Sequence, residues 1–296
     1  MASVAVIAHA GKTLGGGLDE LRSVLAREGV TDPIWYEVSK SRFAPKKIKK
    51  INKKGADLLF VWGGDGLVQQ TIDTLDGADL PIAIIPAGTA NLLATNLGVP
   101  ADIEAAVRIG LHGERKAFDT GTVNGERFGV MAGIGLDALM IRDMGSTLKE
   151  RVGRLGYVWT GAKHLRDKPT RVKIRVDGRK WFKGPASCVL FGNVGKVIGG
   201  MTVFPDARPD DGALEIGVVT AKGLVDWART VGRSVVGDPE DSPFVKTASG
   251  AKFDVQLDDA IPYELDGGDR KKTKRMRVGV DPGSTMICVP EEEAAP

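Results

Sequence analysis

Two glycine-rich loops in the first third of the chain have the residue types and the spacing of a phosphate site. The first loop is Gly63-Gly64-Asp65-Gly66, which joins an apolar run ending at Trp62 to a predicted helix. Glycine lets the backbone approach a ligand closely, and the amides and dipole of a helix N-terminus favour an anion. We therefore predict that this loop binds phosphate. A tight turn with a capping aspartate is the plainer alternative.

The second loop follows the next apolar run and also opens a predicted helix. It reads Pro-Ala-Gly-Thr-Ala-Asn from Pro86 to Asn91, and its candidate ligand-binding residues are Gly88, Thr89 and Asn91. In open α/β sheets, ligands bind beyond the carboxyl ends of the strands, so we expect both loops to face one crevice. A simple helix cap is the alternative for Thr89 and Asn91.

A third segment, Gly11-Lys12-Thr13, resembles the end of a Walker A loop. The Walker pattern requires a glycine at position 6, where the chain has Val6. We therefore do not predict a P-loop NTPase, although this turn follows the first strand and can still contact phosphate.

The elements that carry these loops predict two domains. Strands and helices alternate up to about residue 120, and the strands are continuous apolar runs, as in a parallel sheet with both faces covered. Beyond that point, short runs separated by turns such as Asp177-Gly178 predict mostly antiparallel strands. We predict a doubly wound α/β domain over 1–122 and a β-sandwich domain over 123–296, with helices near 147–165 and 224–236.

Composition and charge indicate a soluble folded protein. The chain has 296 residues, 27% of them charged, and a net charge of +3. Cys188 and Cys288 lie in apolar runs and are too few for a disulfide framework, which points to the cytosol. The longest apolar stretch, over 128–141, is interrupted by Asp137 and is shorter than the roughly 18 residues of a membrane span. No signal peptide is predicted, so we expect a cytoplasmic protein.

Further motifs in a fixed order give the chain a family resemblance. With the two loops, they closely resemble the diacylglycerol kinase family of bacterial lipid kinases. The first loop alone is shared with NAD kinases and phosphofructokinases, so the ordered set carries the specificity. The further motifs are Asp119-Thr-Gly-Thr-Val-Asn-Gly, Ala132-Gly-Ile-Gly-Leu-Asp137, Asn193, Gly199-Gly200, Pro205-Asp-Ala207, Asp210-Asp-Gly212 and Asp266-Gly267.

The resemblance implies ATP-dependent phosphorylation of a lipid hydroxyl, most directly diacylglycerol to phosphatidic acid. It implies a structural Mg²⁺ held by the Asp211 carboxylate and the backbone carbonyls of Arg208 and Ala213, with a plain Asp-Asp-Gly turn as the alternative. Asp65 is expected to act through magnesium and water. The residues that the resemblance assigns to the nucleotide are Gly63, Gly64, Asp65, Gly66, Gly88, Thr89 and Asn91.

The same resemblance implies that Asp266 is the catalytic base. The family motif is Asp-Gly-Glu, and Gly268 stands here in place of the glutamate. Glu264 and Asp269 are the neighbouring carboxylates that could replace it. The first strand also departs from the family, because it is followed by His9-Ala10 rather than Asn-Pro.

Two basic clusters indicate how the protein could reach a lipid. Lys40–Lys54 contains eight Lys and Arg residues and no acid, and Arg270–Arg277 contains six. Such clusters favour an anionic leaflet, so we expect peripheral association with an anionic membrane, with two solvated faces as the alternative. We expect no nucleic-acid partner, because the net charge is small and interleaved aromatic residues are lacking. The oligomeric state is open, a homodimer included.

Three alternatives to a diacylglycerol kinase remain at this point. The acceptor could be another lipid, such as a sphingoid base or a glycerophospholipid, or a soluble molecule as in NAD kinases. The second loop continues Leu-Leu-Ala-Thr, which matches the lipid enzymes better than the NAD kinases. The third alternative is a catalytically silent regulator that binds nucleotide or lipid, and Gly268 keeps it open.

Overall fold

The computed structural model describes residues 3–135, 169–196, 202–220 and 245–291. Asp137, Gly199-Gly200 and the helices predicted near 147–165 and 224–236 lie outside the described residues. The described chain forms two compact units. The first falls in Met1–Thr120, Arg127–Gly129 and Asp281–Pro296, and the second in Gly121–Glu126 and Val130–Val280. Within the described ranges, no helix is long and apolar enough to cross a membrane.

The first unit is built on a parallel sheet, as the apolar runs predict. Strand β1 (Val4–His9) pairs with β2 (Ile34–Val38) on one side and β3 (Leu58–Gly63) on the other, and β3 pairs with β4 (Ile82–Pro86). The residues of β3 and β4 are all buried. The carboxyl ends of β3 and β4 therefore lie side by side where the two glycine loops begin.

Five helices of the described residues accompany this sheet. The last of them was not predicted from the sequence. It contains Gly110, where an added Cβ would lie 2.3 Å from a ring carbon of Phe60, so the glycine permits close packing of this helix on β3. The helices are α1 (Gly17–Arg27), α2 (Pro45–Lys53), α3 (Asp65–Leu75), α4 (Leu92–Asn96) and α5 (Ile103–His112).

The end of the chain returns to the first unit. The long last strand, β14 (Gly268–Val289), pairs in parallel with β4 through Ile287 and Ile82. Ile287 is fully buried. The residues from Asp281 onward, which the sequence assigned to the second domain, thus group with the α/β unit.

The second unit consists mostly of antiparallel strands, as predicted. The predicted turn at Asp177-Gly178 joins two of them, and both residues have positive φ values, of 46° and 79°. In its core, the rings of Phe191 and Phe253 meet edge to face with centroids 5.2 Å apart. Strand β5 (Glu114–Val123) ends in this unit, and β6 (Glu126–Phe128) pairs with β5. The remaining strands are β7 (Met131–Ile134), β8 (Thr170–Val176), β9 (Arg179–Ala186), β10 (Cys188–Gly192), β11 (Leu214–Val219), β12 (Val245–Gly250) and β13 (Lys252–Leu265).

Candidate active site

The two glycine loops touch each other through their backbones. A Cβ added to Gly88 would lie 2.4 Å from the Cα of Gly64, which no side chain tolerates. The amide of Ala87 donates to the carbonyl of Gly63 at 3.0 Å and continues the pairing of β3 with β4. Glycine at both positions is therefore what allows the loops to meet in front of the first turn of α3.

The side chain of Asn91 forms hydrogen bonds to the backbone of its own loop. Its Oδ1 accepts from the amide of Gly88 at 2.8 Å, and its Nδ2 donates to the carbonyls of Pro86 and Gly88, each at 3.0 Å. Its backbone is left-handed, with φ 48°, and its side chain makes no capping hydrogen bond to α4. The capping alternative is therefore wrong for Asn91, which holds the loop in shape. Thr89 lies exposed within that loop.

Asp65 links the beginnings of two helices. It is the first residue of α3, and its Oδ1 accepts from the amide of Leu93 in α4 at 3.3 Å. Burial raises the pKa of the Asp65 carboxyl above its usual value, while backbone hydrogen bonds from the start of α4 partly oppose this. Groups whose pKa is shifted by burial cluster at functional sites, which makes Asp65 a candidate site residue.

Ser41 is a neighbour of the first loop that sequence reasoning missed. The turn Ser41–Phe43 packs against α3, and the Oγ of Ser41 lies 3.8 Å from the position that a Cβ of Gly66 would occupy. Its hydroxyl is therefore close enough to contribute to a ligand site at the loop. The signal in the sequence was weak, because a single serine after β2 has no motif around it.

The Walker-like turn is also held at this end of the sheet. Trp62 at the end of β3 donates its indole N–H to the carbonyl of Lys12 at 3.2 Å. The turn after β1 therefore lies beside the strand that leads into the first glycine loop, as its place in the sequence predicts.

Asp266 is fixed in the second unit by three backbone hydrogen bonds. Its Oδ1 accepts from the amides of Val130 and Met131, each at 2.9 Å, and its own amide donates to the carbonyl of Met131 at 3.0 Å. It lies in the turn between β13 and β14 with φ 44°, a left-handed conformation that aspartate tolerates better than most residues. The carboxylate is thus held in one position before any ligand arrives.

Comparison with known proteins matches both units. Residues 4–123 match the diacylglycerol kinase catalytic domain, and residues 130–289 match the YegS C-terminal NAD kinase beta sandwich-like domain. The chain belongs to the diacylglycerol kinase family. The family resemblance inferred from the motifs is therefore confirmed, as is the fold class, an α/β domain followed by a β-sandwich-like domain.

Individual relatives agree with this assignment. Proteins named "Probable lipid kinase YegS" from Escherichia coli strain 536 and from Shigella flexneri are each 28% identical over 259 residues, which is 84% of both chains. A crystal structure of a diacylglycerol kinase from Bacillus anthracis has a TM-score of 0.77 at 24% identity, covering 97% of this chain and 96% of that one. An NAD kinase from Archaeoglobus fulgidus in complex with ATP has a TM-score of 0.54 at 12% identity, covering 97% and 93%. These two structures support the fold.

The chain departs from the family motif at Gly268, and the structure shows what occupies the space. A Cβ on Gly268 would lie 2.8 Å from Nη1 of Arg270. The Nε of Arg270 donates to both carboxylate oxygens of Glu126, at 2.8 and 2.7 Å, and Nη2 also binds Glu126. Burial lowers the pKa of Arg270, but Glu126, Tyr263 and Asp266 together raise it. An ion pair thus lies beside Asp266, in the space next to Gly268.

The two carboxylates considered as substitutes for the motif glutamate differ in their surroundings. Glu264 is buried and lies opposite Gly133 of β7. Burial and, to a smaller extent, Glu264 raise the pKa of Cys188, which places this carboxylate in the interior of the second unit. Asp269 is exposed.

The predicted magnesium loop is a hydrogen-bonded turn. The Oδ1 of Asp211 accepts from the amide of Ala213 at 3.0 Å, and Arg208 and Asp211 are exposed. The described part of the chain contains no group of three or more His, Cys, Asp and Glu side chains that could hold a metal ion. One carboxylate and backbone carbonyls still fit Mg²⁺, since this ion usually keeps several waters. The Mg²⁺ assignment stays a prediction.

Proposed function

We propose that the protein transfers the γ-phosphoryl group of ATP to the hydroxyl of diacylglycerol and produces phosphatidic acid. The observation that supports this most directly is the contact of the Gly63–Gly66 loop with the Gly88 loop at the start of α3, in a chain of the diacylglycerol kinase family. The two loops would hold the phosphates of ATP with backbone amides and the dipole of α3.

The transfer itself needs positioning and neutralisation of charge more than covalent chemistry. The acceptor oxygen attacks the γ-phosphorus, the bond from that phosphorus to the bridging β–γ oxygen breaks, and ADP leaves. The hydroxyl proton goes to the carboxylate of Asp266. General-base help of this kind contributes typically 10²–10⁴-fold, and the fixed position of Asp266 favours it because no ordering is needed during the reaction.

Magnesium enters the proposal in two places. Mg²⁺ bound with ATP would neutralise charge on the β- and γ-phosphates, and Asp65 would face this ion through water. A second Mg²⁺ would stabilise the loop through the Asp211 carboxylate and the carbonyls of Arg208 and Ala213. Asp211→Ala should then reduce the melting-temperature increase that Mg²⁺ gives to the wild-type protein.

The deciding experiment is transfer of ³²P from ATP to diacylglycerol in neutral detergent micelles, with Asp266→Asn as the test variant. We expect that this variant loses at least about 100-fold in turnover while its ATP affinity, measured by calorimetry, stays within about twofold of wild type. Asp177→Asn is a matched control, since Asp177 is also a left-handed turn aspartate whose Oδ1 accepts two backbone amides. Equal loss of turnover in both variants would overturn the base assignment.

The acceptor is tested with a panel in the same assay. Diacylglycerol, a sphingoid base, phosphatidylglycerol and NAD are compared at equal concentration. A preference for any acceptor other than diacylglycerol by tenfold or more would replace our proposal with that acceptor class. ATP binding without transfer to any of them would favour the silent regulator.

A further inference from the structure

The surface around α2 is strongly basic because only its inward positions are apolar. Ala44, Ile48 and Ile51 are completely buried. Apart from Pro45, the positions between them are lysines, and the segment Lys40–Lys54 contains no acidic residue. Nine residues of helix thus present a cationic face to solvent, formed mainly by Lys46, Lys49, Lys50 and Lys53. We call these four lysines, together with Arg42 and Phe43, the α2 surface.

The charges of the α2 surface are not neutralised within the described part of the chain. None of its basic side chains forms an ion pair with a described acid. The second basic cluster differs, because Arg270 is bound to Glu126 and Arg275 to Asp254. The α2 surface therefore keeps all of its charge for a partner, whereas two of the six basic residues of the second cluster are paired with acids.

An apolar side chain accompanies this charge. Phe43 is 50% exposed, and no other large hydrophobic side chain of the described residues is exposed to this degree. The guanidinium of Arg42 lies over its ring, 5.1 Å from the centroid. An exposed aromatic ring next to a cationic helix face matches the composition of segments that bind the interface of a bilayer.

The α2 surface also adjoins the candidate nucleotide loop. Phe43 belongs to the turn that begins at Ser41, and Ser41 is the residue beside Gly66. Helix α2 packs directly on α3. Contact of this surface with a bilayer would therefore bring the phosphate loop to the membrane.

We propose that the α2 surface docks on an anionic phospholipid bilayer, with Phe43 entering the headgroup region. This deepens the proposed function, since it gives a soluble unit access to a lipid acceptor. Charge complementarity favours a bilayer, and the presence of one exposed aromatic residue rather than several disfavours a nucleic acid, which needs stacking platforms. Basic residues near an anionic leaflet each strengthen binding by roughly fivefold.

The test is co-sedimentation of the full chain with vesicles of phosphatidylcholine containing about one third phosphatidylglycerol, compared with phosphatidylcholine alone. Wild type should bind the anionic vesicles with salt-dependent affinity. Replacement of Lys46, Lys49, Lys50 and Lys53 by Gln should weaken binding at least about 100-fold. The matched control replaces Lys271, Lys272, Lys274 and Arg277 by Gln, which removes the same charge and should change binding by less than about fivefold.

Insertion of the ring is tested separately. Phe43→Ser should weaken binding to anionic vesicles about tenfold. The described cysteines are both buried, so Phe43→Cys offers a thiol for an environment-sensitive dye, whose emission should shift to the blue on anionic vesicles. An unshifted emission would remove Phe43 from the proposal.

Two outcomes overturn the docking proposal as a whole. One is equal vesicle binding by the α2 lysine variant and wild type. The other is binding of a single-stranded oligonucleotide more tightly than anionic vesicles. The kinase proposal fails independently, since it predicts transfer to diacylglycerol in neutral micelles, where the α2 lysine variant should be as active as wild type.

Discussion

At the scale of single residues, the side chain of Asn91 determines the shape of the second loop. Its three hydrogen bonds contribute roughly 0.5–1.5 kcal/mol each. Asn91→Gly keeps the left-handed backbone and removes all three, so we expect the dissociation constant for ATP to rise at least about tenfold. Calorimetric titration measures this.

A second asparagine provides the control for Asn91. Asn124 is also left-handed, with φ 52°, and its side chain also bonds to backbone groups, those of Arg275 and Arg277. Asn124→Gly should lower stability while leaving ATP affinity unchanged. If both variants lost affinity equally, Asn91 would have no specific part in the nucleotide site.

We expect the partly buried carboxylate of Asp65 to lower the free energy of unfolding at neutral pH. Burial raises its pKa in the folded chain, so the folded state binds a proton at a higher pH than the unfolded state does. The free energy of unfolding therefore falls as pH rises from the usual aspartate pKa through the folded one, and the loss persists above it. Asp65→Asn should raise the melting temperature near pH 7 by about 2 °C and lower turnover.

Thermal melts between about pH 4 and pH 8 check this prediction. The advantage of Asp65→Asn over wild type should shrink as the pH falls through the window. Asp19→Asn is the control, because Asp19 is an exposed acid in the first turn of α1. A lower melting temperature for Asp65→Asn at neutral pH would show that the hydrogen bond to Leu93 outweighs burial.

At the scale of elements, the loops could be predicted from the sequence because their determinants are local. Glycines after an apolar run identify the end of β3 and the start of α3 within a few residues. The Arg270–Glu126 pair could not be predicted, since its members are 144 positions apart and no spacing rule joins them. Helix α5 was missed although its signals are local, because Asp102 caps it by accepting from the amide of Ala105 at 2.8 Å and its apolar residues form one buried face. Gly110, a poor helix former, is the residue that weakens the pattern.

The backbone contact between the loops gives a prediction at this scale. Gly88→Ala places a Cβ against the Cα of Gly64, so the loops must separate and ATP affinity should fall about 100-fold. Gly279→Ala is the matched control, because its Cβ would lie at an ordinary 3.5 Å from Thr122 Oγ1. Unchanged ATP affinity in Gly88→Ala would show that the contact is not needed for binding.

At the scale of the whole molecule, the last strand of the chain, β14, adds to the sheet of the first unit by pairing with β4. The sequence predicted a domain boundary near residue 122, because alternating strands and helices are followed there by short strands separated by turns. It gave no sign that the apolar run near Ile287 pairs with β4 rather than with strands of the second unit. Local patterns predict strands, but pairing between positions some 200 residues apart depends on tertiary structure.

The pairing of β14 with β4 allows a prediction of how the α/β unit behaves as a separate fragment. A fragment of residues 1–129 leaves β4 without a partner on one side and should aggregate or unfold at low urea concentration. The same fragment with residues 281–291 joined through a flexible linker regains the burial of Ile287, Cys288 and Val289, which is worth about 4 kcal/mol in the free energy of unfolding. Urea titrations followed by circular dichroism compare the two, with Ile287→Asp in the joined segment as the control. If the shorter fragment were equally stable, the last strand would be an accessory to the sheet, and a domain boundary near 122 would describe the unit well.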